Sequence, residues 1–222
     1  MGSLSLVRRL ELAYKLEEHE GCVNSLHFNA SGSLLASGSD DLKVVVWNWE
    51  RRRKAFAFDT GHRSNVFQSK FLALAGDTHL VTASRDGQVR LAELSVTGQC
   101  RRTRRLAQHR AAVHNVALVA GNPHLVLSAG EDAAVMAIDV REAAGSAAET
   151  IVTQMSARER RIPIYSIDAS PTEDSYFVTS GRDEFVRLYD RRMLTVAHPG
   201  PVKKFCPHHL VCAFNISNRR SF

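Results

Sequence analysis

The sequence predicts an all-β protein built from repeats of four short strands, and three observations predict it. First, one apolar strand pattern recurs four times, at spacings of 43, 47 and 51 residues. Second, the runs in each repeat are short, rich in β-branched and aromatic residues and bounded by Gly, Asp and Ser, which is typical of strands. Third, no stretch of the chain keeps a helical period. Because a period of roughly 40–45 residues is that of a propeller blade, we expect a β-propeller.

The first two strands of each repeat define the period. First strands are predicted at Val23–Phe28, Val66–Phe71, Val113–Leu118 and Ile164–Ala169. Second strands are predicted at Leu35–Ser39, Leu80–Ser84, Leu127–Gly130 and Phe177–Gly181. A turn follows each second strand, and its aspartate stands in register in all four repeats, as Asp41, Asp86, Asp132 and Asp183.

The third and fourth strands complete each repeat. Third strands are predicted at Lys43–Trp47, Gln88–Leu91, Ala134–Ile138 and Glu184–Tyr189. Fourth strands are less regular and are predicted at Lys54–Phe58, Arg104–Ala107, Thr150–Thr153 and Val202–Phe205. The repeats then span residues 19–60, 61–107, 108–160 and 161–211, between an N-terminal extension (1–18) with an outer strand at Leu10–Tyr14 and a divergent tail (212–222).

The repeats resemble the WD-repeat family, whose signature is a Gly-His near the start of a repeat and a Trp-Asp at the end of its third strand. Gly61-His62 matches, His19 and His109 stand in place without the Gly, and the fourth repeat lacks the His. The third strands end in Trp47-Asn48, Ala92-Glu93, Ile138-Asp139 and Tyr189-Asp190. The resemblance implies a hydrogen-bonded tetrad inside a blade, and the one complete set is His19, Ser37, Asp41 and Trp47.

Two catalytic or metal interpretations compete with this structural one. A Ser-His-Asp triad needs its nucleophile in a cleft beside an oxyanion hole, whereas these residue types recur at the blade period, as buried structural groups do. A zinc clip from Cys206, His208, His209 and Cys212 would lack a second ligand cluster. We therefore expect no catalytic residue, no metal and no cofactor.

The ends of the third strands carry a more specific signal. The third repeat ends Asp139-Val140-Arg141 and the fourth ends Asp190-Arg191-Arg192, whereas the first two repeats have no Arg in place. We expect each Asp to accept backbone hydrogen bonds, and each Arg to project from the rim, free to make a bidentate contact with a carboxylate of a partner. Because equivalent positions of adjacent blades share a face, Arg141 and Arg192 would form a two-point cationic contact.

This pattern resembles the box of WD-repeat substrate receptors of cullin-4 RING ubiquitin ligases, which dock on the damaged-DNA-binding adaptor subunit. Five sequence stretches are similar to the cullin-4-associated factor 8 branch: Glu18–Asn24, Ala36–Trp47, Gly61–Gln68, Arg85–Arg90 and Lys203–Val211. The resemblance implies a non-catalytic substrate receptor that docks through Asp139, Arg141, Asp190 and Arg192. The chain departs from the family in repeat number: about four repeats stand where seven or so close a ring, so we expect an open arc with an aggregation-prone edge and a truncated product.

Composition narrows the setting. No run reaches the length of a membrane helix, no signal peptide is recognisable, and four scattered cysteines favour reduced thiols, so we expect a soluble protein of the nucleus and cytoplasm with no membrane partner. The formal charge of +6 leaves open a chromatin or nucleic-acid binder, but no aromatic residues interleave the arginine clusters, which we assign to solvated loops between repeats. A generic WD-repeat scaffold in another complex also remains open.

Overall fold

The structure, a computed structural model, describes residues 7–95, 99–142, 148–156, 159–194 and 200–207. These residues form four antiparallel sheets of four strands, each with its strands in chain order, which we call blades 1 to 4. Blade 1 comprises β1 (Val23–Phe28), β2 (Leu35–Ser39), β3 (Lys43–Asn48) and β4 (Arg53–Asp59); blade 2 comprises β5 (Val66–Phe71), β6 (His79–Ser84), β7 (Gln88–Leu94) and β8 (Cys100–Gln108). Blade 3 comprises β9 (Val113–Val119), β10 (Asn122–Gly130), β11 (Ala134–Asp139) and β12 (Ala148–Thr153); blade 4 comprises β13 (Ile164–Ala169), β14 (Tyr176–Gly181), β15 (Val186–Asp190) and β16 (Lys203–Phe205). Two single-turn 3-10 helices, Ala75–Asp77 and Arg191–Met193, lie between strands. The all-β prediction is confirmed.

Three hydrophobic clusters hold neighbouring blades together. One joins blades 1 and 2 through residues such as Val44 and Phe71, and a second joins blades 2 and 3 through residues such as Val81 and Val126. The third joins blades 3 and 4, where Phe177 and Tyr189 stack 5.0 Å apart. No such cluster among the described residues joins blade 4 to blade 1. The four blades therefore form an arc.

The second strands of the blades are apolar or small at most positions, because neighbouring blades cover both of their faces. Along β6, Leu80 packs toward blade 1 while Val81 and Ala83 pack toward blade 3. Along β10, Val126 faces blade 2 and Leu127 faces blade 4. A strand that is buried on both faces loses the alternation of apolar and polar residues that marks a half-exposed strand. The second strands of the repeats lack this alternation for the same reason.

The turns between second and third strands share one geometry in blades 1 to 3. The carboxylates of Asp41, Asp86 and Asp132 each accept a hydrogen bond from the backbone N–H two residues later. The residue between them has a positive φ in all three turns, and in blade 2 it is Gly87, where a Cβ would lie 2.7 Å from the carbonyl oxygen of His109. Only glycine fits that approach.

The outward flank of blade 1 is largely exposed, with Trp49 of the same blade meeting Phe28 edge to face. Leu26 is 64% exposed and Phe28 is 51% exposed. The equivalent residues of blade 2, Ser69 and Phe71, are buried because they pack against blade 1. The first blade therefore presents an apolar face at the end of the arc.

Two expectations about local structure are wrong. Leu10–Tyr14 forms no strand: each blade already has its own fourth strand, so no third strand among the described residues is left for it to pair with. Tyr14 instead donates a hydrogen bond to the carbonyl of Trp49. The arginines at 101–105 do not lie in a solvated loop but in β8, where Arg102 pairs with Glu93.

Candidate docking site at the ends of the third strands

In blade 3 the motif forms a closed pair where β11 ends. The carboxylate of Asp139 accepts a hydrogen bond of 2.9 Å from the backbone N–H of Arg141, which turns the chain out of the sheet. The Arg141 guanidinium then donates from Nε at 3.0 Å and from Nη2 at 2.6 Å to the two oxygens of the same carboxylate. The arginine side chain remains 63% exposed.

Blade 4 repeats this arrangement at the end of β15. Asp190 accepts from the backbone N–H of Arg192 at 3.0 Å, and the guanidinium donates from Nε at 3.0 Å and from Nη2 at 2.7 Å. The Arg192 guanidinium also lies 5.6 Å from the ring centroid of Tyr176, while its side chain is 64% exposed. Asp190 is buried, so the pair in blade 4 is more rigidly framed than the pair in blade 3.

The expectation that each fork is free for a partner is therefore wrong in one respect. The Nε edge of both guanidinium groups binds the Asp of the same motif. An arginine has five N–H donors, so in Arg141 Nη1 and the outer hydrogen of Nη2 point away from the pair. In Arg192, Nη2 also donates to the Tyr176 hydroxyl at 3.4 Å, so Nη1 is the edge that points away. Because the pair is neutral as a whole, it suits a partner's carbonyl or polar group at least as well as a lone carboxylate.

The chemistry of the pair keeps both partners ionised. The hydrogen bond from the Arg141 side chain, followed by the backbone N–H of Arg141, lowers the pKa of Asp139 to about 2. The Arg192 side chain likewise lowers the pKa of Asp190, and Asp190 raises the pKa of Arg192. Charge-assisted bidentate pairs of this kind fix the orientation of the guanidinium.

Blades 1 and 2 end their third strands differently. In blade 1, Asn48 accepts from the backbone N–H of Arg51, and in blade 2, Glu93 pairs with Arg102 and Arg104 of β8. Arg104 also reaches across to blade 3, where it donates to the carbonyls of Val140 and Glu142. Blade 2 thus supports the turn that carries Arg141, a contact that nothing in the spacing of the sequence indicates.

Four polar side chains of blade 1 form one hydrogen-bonded network. Nδ1 of His19 lies 2.8 Å from the Asp41 carboxylate, and its Nε2 lies 2.8 Å from the hydroxyl of Ser37. The Trp47 indole N–H donates to the same hydroxyl at 2.9 Å. Since a carboxylate only accepts, Nδ1 of His19 donates, Nε2 accepts from Ser37, and Ser37 accepts from Trp47. Each of these four side chains therefore has a hydrogen-bond partner within the network.

Blades 2 and 3 contain the same arrangement without the indole. His62 bridges Asp86 and Thr82, and His109 bridges Asp132 and Ser128. Burial lowers the pKa of His62 more strongly than the neighbouring Asp86 raises it, so this histidine is neutral at pH 7.

Blade 4 replaces the histidine that its sequence lacks. Gln154 lies at the equivalent place, where its side-chain oxygen accepts from Thr179 at 2.9 Å. Asp183 of the turn, left without a histidine, forms an ion pair with buried Arg187 instead. The sequence does not indicate that Gln154 takes the place of the histidine, because the spacing differs. Gln154 precedes β13 by ten residues, whereas the histidines precede their first strands by four.

These networks place no reactive group in a cleft. The hydroxyls of Ser37 and Ser128 are buried and already bonded inside their blades. Among the described residues no group of three or more His, Cys, Asp or Glu side chains could hold a metal ion. Cys206 is described, but His208, His209 and Cys212 of the considered zinc clip lie outside the described residues. No helix in the described part of the chain is long and apolar enough to cross a membrane.

The family model of the WD domain, G-beta repeat, matches residues 10–48, which include the complete tetrad. The match covers part of blade 1, and blades 2 and 3 repeat its His–Ser/Thr–Asp network. The four sheets have the WD-repeat fold.

Three relatives match most of the chain, and the name of one of them includes WD repeats. The chain is 35% identical to Protein ALTERED SEED GERMINATION 2 of Arabidopsis thaliana, over 93% of the chain and 31% of that protein. It is 31% identical to DDB1- and CUL4-associated factor 6 of Homo sapiens, over 95% of the chain and 25% of that protein. It is 33% identical to WD and tetratricopeptide repeats protein 1 of Homo sapiens, over 85% of the chain and 27% of that protein. The chain spans less than a third of these relatives.

Proposed function

We propose that these WD-repeat blades act as a protein-interaction scaffold of a cullin-4 RING ubiquitin ligase, in which they dock on the damaged-DNA-binding adaptor subunit (DDB1) through the Asp–Arg pairs of blades 3 and 4. The chain is a substrate receptor in this proposal, and the transfer of ubiquitin belongs to other subunits. The name of one relative, DDB1- and CUL4-associated factor 6, supports this assignment. The factor 8 branch indicated by the sequence motifs is part of the same proposal, as is a location in both nucleus and cytoplasm.

One observation carries the proposal. Asp139–Arg141 and Asp190–Arg192 adopt the same geometry at the ends of neighbouring third strands, with both guanidinium groups exposed. The Arg141 pair lies at the surface, whereas Arg192 also neutralises the buried carboxylate of Asp190; both arginine side chains project outward. Two rigidly oriented donors on one face are suited to a partner that offers two acceptors at a fixed separation.

The experiment is a binding titration of the purified chain with purified adaptor. Changing Arg141→Ala together with Arg192→Ala should weaken binding by about tenfold or more, because arginines held in fixed geometry are frequent interface hot spots. The matched control is Arg51→Ala together with Arg101→Ala, which removes the same charge from exposed arginines without a motif Asp.

The outcomes separate the proposal from its competitors. Loss of binding in the motif variant and not in the control supports adaptor docking. Equal loss in both variants overturns it, because only overall charge would then matter. Undiminished binding in both also overturns it and favours a generic WD-repeat scaffold in another complex.

A further inference from the structure

A row of aromatic rings crosses blades 2 to 4 on the face opposite the docking site. We call this the entry face: the face at which β1, β5, β9 and β13 begin and at which the turns carrying Asp41, Asp86, Asp132 and Asp183 lie. In blades 2 to 4, the second residue of the first strand, which we call the inner strand, carries an aromatic ring. Phe67 and His114 are stacked 4.7 Å apart, and Tyr165 meets His114 edge-on at 5.2 Å.

The central ring of this row, that of His114, is fixed by a hydrogen bond within its own blade. Nε2 of His114 lies 2.7 Å from the carboxylate of Glu131, which belongs to the turn of the same blade. The rings are not part of the blade core, since Tyr165 is 41% exposed and Phe67 and His114 are half-buried. A fixed, partly exposed row of rings offers edges and faces to a further apolar or aromatic side chain.

Arginines surround this row. They occupy the short loops before the inner strands and the turns after the second strands, and none makes an ion pair with a described residue: Arg63, Arg85, Arg110, Arg161 and Arg182. The backbone N–H groups of Arg63 and Arg110 bind the turn aspartates of blades 2 and 3, and that of Arg182 binds the carbonyl of Pro163, so all three stand at the entry face.

The turns of blades 2 to 4 also carry acidic groups. Asp183 is paired with Arg187, and Asp86 and Asp132 are turned toward a buried histidine inside their blades. Glu131 binds His114, and Glu184 stands beside Asp183. Five arginines against the four acidic groups without an arginine partner leave a small excess of positive charge on this face.

Blade 1 has the opposite character. Asn24 stands where the other blades have a ring, and the arginine positions are filled by Glu20 and Asp40. The aromatic and basic surface thus covers blades 2 to 4 and stops at blade 1.

We propose that the entry face of blades 2 to 4 binds an acidic peptide segment that carries an aromatic side chain. The aromatic residue packs on the row Phe67, His114 and Tyr165, and the flanking carboxylates pair with the surrounding arginines. This deepens the proposed function, on which it rests only for the role of the bound segment: a receptor needs a target-binding face apart from its docking face.

The chemistry favours an acidic peptide over single-stranded nucleic acid. A run of stacked bases needs an open ring face for each base, whereas Phe67 and His114 each cover one face of the other, so this row suits one aromatic residue better than a run of bases. A phosphate backbone that continued past blade 2 would meet Glu20 and Asp40 of blade 1. A short acidic segment can end before that point.

The experiment measures fluorescence anisotropy of a labelled peptide of Glu and Asp with one central Trp. Matched probes replace the acids by Gln and Asn, or the Trp by Ala, and a labelled single-stranded oligonucleotide tests the other class. The variants are Tyr165→Ala and, separately, Arg85→Glu with Arg182→Glu. The matched control, Arg51→Glu with Arg101→Glu, makes the same charge change away from the entry face.

The acidic Trp peptide should bind, and each entry-face variant should weaken it by about tenfold, while the control changes it by less than about twofold. Both matched peptides should bind more weakly. No binding of the acidic Trp peptide, equal loss in the control, or tighter and equally sensitive binding of the oligonucleotide would each overturn the inference. Because the exposed arginine variant does not touch the core, it keeps the test valid if Tyr165→Ala fails to fold.

The same variants separate this inference from the docking proposal. Tyr165→Ala should leave adaptor binding unchanged, and the Arg141 and Arg192 variants should leave peptide binding unchanged. Failure of the wild-type chain to bind the acidic Trp peptide, with adaptor binding intact, contradicts the entry-face inference alone, whereas insensitivity of adaptor binding to Arg141 and Arg192 contradicts the docking proposal alone.

Discussion

The guanidinium group of Arg192 closes onto the carboxylate of Asp190 through Nε and Nη2, two residues along the same chain. The aspartate is buried and the arginine is exposed, so the sheet fixes the anion and the anion fixes the cation. Arg141 and Asp139 do the same one blade away. What the two motifs present to a partner is therefore a direction of N–H groups more than a net charge.

This leads to a prediction that distinguishes geometry from charge. Arg141→Lys together with Arg192→Lys keeps both positive charges but removes the planar fork. We expect adaptor binding to fall nearly as far as in the alanine variant, by about tenfold, because an ammonium group cannot grip the aspartate and still present a second oriented edge. A binding titration checks this. Lysine variants that bind like the wild type would show that charge alone is used.

The tetrad of blade 1 predicts an unequal cost of removing equivalent serines. In Ser37→Ala, Nε2 of His19 and the Trp47 indole N–H both lose their buried partner. In Ser128→Ala, the network loses only the contact to His109, because Ile138 stands where blade 1 has the indole. We expect a loss in the free energy of unfolding of about 2–3 kcal/mol for Ser37→Ala and about 1–2 kcal/mol for Ser128→Ala.

Urea denaturation of the two variants measures this difference. Ser37→Thr serves as the conservative control, since Thr82 and Thr179 occupy the equivalent positions in blades 2 and 4. It should cost less than Ser37→Ala. Equal losses for the two alanine variants would show that the indole bond contributes nothing.

The neutral, buried His62 predicts that the chain loses stability in mild acid. Burial holds its folded-state pKa below the unfolded value of 6.5, so the unfolded chain takes up the proton first. The stability from the neutral ring is complete above pH 6.5 and is lost as the pH falls through the folded-state pKa. One such group gives a slope of at most about 1.4 kcal/mol per pH unit.

Urea midpoints between about pH 5 and pH 8 test this, because free Asp and Glu side chains have pKa values of about 4. His62→Gln is the matched variant, chosen because Gln154 takes the equivalent place in blade 4. Its stability should depend less on pH than that of the wild type. Parallel curves for the two proteins would rule out His62 as the source.

The strand order and the turn aspartates could be predicted from the sequence because they repeat locally. Ser37 and Asp41 stand at fixed distances within one repeat, and so do their counterparts, which makes the network visible without a structure. Gln154 could not be found in this way, since a longer loop separates it from its strand. The contact of Arg104 with Val140 was equally hidden, because it joins different blades. The pairing of Arg141 with Asp139 depends on a side-chain rotamer that the residue types leave open.

The exposed flank of blade 1 predicts self-association of the isolated chain. Leu26 and Phe28 are exposed on this flank, and the residue equivalent to Leu26 in blade 2 is Ser69. Leu26→Ser should therefore lower self-association at little cost in the free energy of unfolding, because the leucine side chain is already largely in water. Sedimentation velocity over a range of concentrations measures the association, and urea denaturation measures the stability. As a control, Phe71→Ser removes a buried ring from the equivalent face of blade 2 and should destabilise the fold by about 3–5 kcal/mol. A wild-type chain that stays monomeric at all concentrations would contradict the prediction.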